Sequence, residues 1–114
     1  MMTSNNKHLT DHAALSKVVQ DFYNRHPYPP PINNLDSYQK RWQEPGRRQA
    51  DFHLFWPGKS YRENLDVLVA GCGTSQAARV ALRQPGAQVF GVDHSETSIR
   101  HTRILKKRYG LQNL

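Results

Sequence analysis

The run Asp66-Val67-Leu68-Val69-Ala70 passes straight into Gly71-Cys72-Gly73, and this junction constrains the fold of the 114-residue chain more than any other feature. A short apolar, β-branched run that stops on glycine reads as a strand buried on both faces, as in parallel sheets. Gly71 to Ser75 then forms a turn of small residues. Gln76 to Arg83 has helical composition, with Ala77, Val80 and Ala81 on one side. After a turn at Pro85-Gly86, Gln88-Val89-Phe90-Gly91-Val92-Asp93 predicts a second strand. Ser95 is placed to cap a second helix, and Glu96 suits its first turn. Ile99, Thr102, Leu105 and Tyr109 give that helix an inner stripe, and Gly110 is a good residue to stop it. Strand, helix, strand, helix with short connections predicts an α/β fold built on a right-handed, parallel βαβα unit.

Glycines between a strand and a helix clear a path to the backbone. Side chains at Gly71 and Gly73 would block a ligand there, and the amides opening the next helix would face it. In open α/β sheets the ligand crevice lies outside the carboxyl ends of the strands. Asp93 closes the second strand, 22 positions after Gly71. An acid at that place can accept hydrogen bonds from both ribose hydroxyls of an adenosine moiety. The pattern thus predicts an adenosine-containing cofactor before it says which one. A dinucleotide fingerprint requires a third small residue, and here Gln76 holds that position, which weighs against a nicotinamide cofactor.

Val67-Leu68-Val69-Ala70-Gly71-Cys72-Gly73-Thr74 is similar to the first motif of class I S-adenosylmethionine-dependent methyltransferases. Val89-Phe90-Gly91-Val92-Asp93-His94-Ser95, followed by Ile99, resembles their second motif and the helix after it. The resemblance covers residues 65–114 and implies a Rossmann-like domain. It implies that the backbone of Ala70, Gly71, Cys72 and Gly73 meets the methionine part of S-adenosylmethionine. It also implies that Asp93 binds the ribose while His94 lies beside the adenine. Two positions depart from the family pattern: Val69 stands where many members carry an acid, and Ser75 where many carry a third glycine. Members of that family have several more strands than the two expected here. The resemblance therefore implies a cofactor-binding front portion of a longer fold, in which no catalytic residue is assigned and the methyl acceptor is open.

Residues 1–64 have a different texture. Thr10 or Asp11 is expected to cap a helix running to about Arg25, after a frayed start over residues 1–9. Leu15, Val18, Val19 and Phe22 follow the spacing of one buried stripe, and Pro27 stops the helix. Pro27, Pro29, Pro30 and Pro31 favour an extended linker, with an SH3-type ligand as the alternative. Residues 33–64 hold Tyr38, Trp42, Phe52, Phe55, Trp56 and Tyr61 without a clean period. A short helical turn is expected over residues 39–44, ended by Pro45-Gly46. Tyr28, Tyr38 and Trp56 are the aromatic candidates for a lid over the cofactor.

Composition bounds the remaining readings. The formal charge of +7 comes from 16 Lys and Arg against 9 Asp and Glu, and 37% of residues are hydrophobic. The cations are scattered over every segment, which fits a solvated basic face better than a nucleic-acid footprint. The single cysteine, Cys72, excludes an intrachain disulfide and fits a reducing compartment. Glycine neighbours give Cys72 no base with which to act as a nucleophile. His8 and His12 lie four apart, but no cysteine or carboxylate completes a metal site. No apolar run approaches a membrane span, so a cytoplasmic protein is expected. Two alternatives to a methyltransferase stay open: a nicotinamide-dependent oxidoreductase, and a non-catalytic basic interaction module with a vestigial cofactor site.

Overall fold

A computed structural model describes residues 3–26 and 30–114, with side chains from residue 12 onward. Among the described residues, the chain is mixed α/β, with five helices and a two-stranded parallel sheet. The strands are β1 (Asp66–Ala70) and β2 (Gln88–Val92), paired so that Val67 faces Val89 and Val69 faces Gly91. Helix α4 (Gln76–Arg83) connects them and α5 (Glu96–Tyr109) follows β2. These four elements lie where the residue pattern expects them, within one residue.

The reasons are local. Ser95 Oγ accepts the Ser98 N–H at the start of α5, and Gly110 ends the helix in the left-handed region at φ 61°. Thr102 and Leu105 are buried beneath α5, with Ile99 and Tyr109 half-buried beside them. Glycine is required at position 91 for a reason periodicity does not reveal. A Cβ there would lie 2.8 Å from Ala77 Cβ and 3.3 Å from Cys72 Sγ, so bare backbone lets the start of α4 settle onto β2.

Ahead of the sheet lie α2 (Asp36–Trp42) and α3 (Pro45–Phe55). Helix α2 packs on α4 and on α3, and Asp51 of α3 lies 3.5 Å from Arg83 of α4. Leu35 and Phe52 join Ala78, Val80, Ala81, Val89 and Leu105 in one buried cluster, so the core crosses position 64. The Arg79 guanidinium lies 5.6 Å from the centre of the Tyr38 ring, and that of Arg83 lies 5.6 Å from the Trp42 ring. Tyr109 Oη donates to Asp36 Oδ1 at 2.7 Å, tying the end of α5 to the start of α2. Along the outer side of β2, Val89 N–H donates to Asn113 O at 2.7 Å.

Four expectations need correction. First, α1 runs from Thr3 to Arg25, so its start is neither frayed nor capped at Thr10 or Asp11. Second, its stripe is not buried. Leu15 is 60%, Val18 63% and Phe22 53% exposed. Third, Pro45 begins a helix instead of ending one, because the first helical position needs no N–H from its residue. Fourth, the strands are covered on one face only. Val67 and Val69 pack toward the core, while Leu68, Ala70, Phe90 and Val92 are exposed. The stretch of Pro27, Tyr28 and Pro29 lies outside the described residues. No described helix is long and apolar enough to cross a membrane.

Candidate functional site

The carboxyl ends of β1 and β2 open into a cleft of about 670 Å³, within the size range of small-ligand sites. Ala70 ends β1 and lines the cleft together with Gly71, Val92 ends β2 and lines it together with Asp93 and His94, and Ser98 comes from α5. The opposite wall comes from far away in sequence: Val19 and Tyr23 of α1. Of the six residues expected to meet a cofactor, Ala70, Gly71, Asp93 and His94 thus line the cleft. Cys72 and Gly73, in the turn after β1, are buried and do not line it.

Asp93 organises the floor. Its Oδ2 accepts the Gly73 N–H at 2.9 Å and its Oδ1 accepts the Ser95 N–H at 2.8 Å. One carboxylate therefore ties the glycine turn after β1 to the start of α5. Cys72 N–H reinforces the junction by donating to Val92 O at 2.9 Å. Gly71 and Gly73 both have positive φ, 64° and 59°. A Cβ on Gly71 would meet no atom within 4 Å, so glycine is needed there for the backbone turn and leaves the main chain open to the cleft.

Cys72 is fully buried, and its side chain lies against the position a Gly91 Cβ would take. Burial first, and the Asp93 charge second, push its thiol above the usual range. An enclosed thiol packed in this way is a poor nucleophile. Ser75 at the start of α4 is buried and makes no side-chain cap bond. Val69, in the place of the family's acid, is half-buried against the core.

Two of the lid candidates, Tyr38 and Trp56, sit elsewhere, and Tyr28 lies outside the described residues. Tyr38 packs under Arg79, and Trp56 stacks 5.1 Å from Phe52. Among the described residues, Tyr23 is the tyrosine that lines the cleft. Sequence reasoning missed Val19 because its spacing marks it as part of a buried helical stripe, and it gave Tyr23 no role. The available signal was the polar pair Gln20 and Asn24, four apart on the same helix, which becomes a docking face only once its partners are known.

A βαβα unit whose strand ends meet a glycine turn and a fixed carboxylate defines a mixed α/β chain with a ligand-sized cleft. No family model matches it. The chain is 34% identical over 90 residues to the uncharacterized phycocyanin operon protein W of Pseudanabaena tenuis (strain PCC 7409), across 74% of this chain and 79% of that protein. The chain belongs to the family of that protein.

Proposed function

We propose that the cleft binds S-adenosylmethionine through its adenosine part, and that this chain forms the cofactor-binding region of a methyltransferase. The observation that carries the reading is the fixed carboxylate of Asp93. Each of its oxygens accepts one backbone N–H and keeps further acceptor capacity. A vicinal diol offers two O–H donors, one for each oxygen. Ordering by Gly73 and Ser95 means that little rotamer entropy remains to be lost on binding.

The other groups fit the same ligand. The main chain of Ala70 and Gly71 is open at the cleft, and Val92 with Tyr23 supplies apolar walls for a flat base. His94 follows Asp93, where the resemblance to class I enzymes sets the adenine. Gly73 N–H, which a pyrophosphate site would direct at its ligand, is committed to Asp93. That supports a nucleoside over a dinucleotide. When bound, S-adenosylmethionine supplies an electrophilic methyl group on its sulfonium. The chain's own residues orient it and keep water from one side, which is the positioning role that methyl transfer most needs.

Calorimetric titration of the full chain with S-adenosylhomocysteine tests the reading. Binding is expected in the wild type, weakened at least about tenfold in Asp93→Asn, which keeps one acceptor and loses the charge. No heat with the wild type, or the same affinity in Asp93→Asn, overturns it. A parallel titration with NADH that gives the tighter binding would move the assignment to a nicotinamide cofactor.

A further inference from the structure

Helix α1 is attached to the body by its polar side. Gln20 Nε2 donates to His94 O at 3.0 Å. Thr97 Oγ1 donates to Asn24 O at 2.7 Å, and Thr97 N–H to Asn24 Oδ1 at 3.4 Å. Ser95 Oγ has one proton to share between Asn24 Oδ1 at 3.1 Å and Tyr23 O at 3.2 Å. Every partner lies in the four residues that follow Asp93. The opposite side of the helix, with Leu15, Val18 and Phe22, is turned to solvent.

This geometry has an energetic consequence. Each bond exchanges with water, so its net contribution is small, and the outward stripe adds no apolar burial at the contact. Docking of α1 is therefore shallow, and modest added contacts shift it. Val19 and Tyr23 stand on this same helix and form the far wall of the cleft. A ligand held by Asp93 touches them only while α1 is docked.

We propose that Asn24 is a positioning residue that latches α1 across the cleft, so that docking of α1 and occupancy of the cleft stabilise each other. Asn24 is suited to the task because one residue answers both Ser95 and Thr97, by its side chain and by its carbonyl. Its role is to hold the second wall in place; it does not itself line the cleft. Reciprocity follows from linkage: what docking gives to ligand affinity, the ligand returns to docking. The nature of the ligand rests on the reading given under Proposed function, while the latch rests on the hydrogen bonds alone.

Hydrogen exchange and calorimetry on the full chain separate the two. In Asn24→Ala the amides of residues 16–25 are expected to exchange faster without ligand, while those of β2 and α5 keep wild-type protection. Affinity for S-adenosylhomocysteine is expected to fall about tenfold, the size of one or two lost net hydrogen bonds. Asn24→Asp keeps the acceptor for Ser95 and Thr97 and places a negative charge at the start of α5, so it should restore both properties. Added S-adenosylhomocysteine should slow exchange across α1 in the wild type. Wild-type exchange and affinity in Asn24→Ala overturn the latch, and so does failure of Asn24→Asp to restore them. If the wild type gives no heat, the ligand reading fails and the coupling fails with it. The exchange of Asn24→Ala against Asn24→Asp then still decides the latch.

Discussion

Helices α1 and α5 lie against each other, and both carry apolar residues at helical spacing, yet only α5 hides them. Leu105 is 1% exposed, while Val18 on α1 is 63% exposed. The difference comes from how each helix is tied to the rest. β2 ends at Val92 and α5 begins at Glu96, so a short connection turns the helix back onto its own sheet. The body that α1 meets comes some seventy residues later, and it presents hydroxyls and carbonyls instead of an apolar groove. Apolar periodicity thus identifies a helix; the neighbours it meets decide which side is covered.

The comparison breaks most visibly under truncation of side chains. Leu105→Ala removes a fully buried side chain and should cost about 3 kcal/mol, read as a lower urea midpoint with unchanged slope. A loss below about 1 kcal/mol would mean that α5 is no better packed than α1. Gly91→Ala drives a Cβ to 2.8 Å from Ala77 Cβ, and overpacking of this kind costs about 1–3 kcal/mol. A thermal melt equal to the wild type would show that α4 can back away from β2 freely.

Smaller effects sharpen the boundary between the two helices. Ser95→Ala removes the cap of α5 together with a donor to α1, for about 1 kcal/mol in chemical denaturation. Phe22→Ala, on the outward face of α1, should change stability by no more than about 0.5 kcal/mol. A large loss there would place Phe22 in a packed environment and erase the contrast with Leu105.

Much of the βαβα unit was legible because its signals are local and agree with one another. Ser95 and Gly110 mark the ends of α5, and the apolar runs Val67 to Ala70 and Val89 to Val92 mark the two strands. The reading of β1 as buried on both faces failed because an apolar run records what a strand can tolerate, not how many layers cover it. Helix α3 was hidden by Pro45-Gly46, a pair that breaks a helix in its interior and opens one at its first turn. At the site, Gly71 and Asp93 announced themselves through spacing. Val19, Tyr23 and Asn24 did not, since nothing in their neighbourhood reports a partner more than seventy residues away.

That separation has a meaning during synthesis. Asn24 leaves the ribosome 73 residues before Thr97, its partner. At roughly 5–20 residues per second, α1 waits about 4–15 s for the surface it docks on. Through that interval both of its sides are bare, and its apolar stripe is open to any chaperone or neighbouring nascent chain. The segment that will later wall the cleft thus stays undocked until the residues after Asp93 have been made.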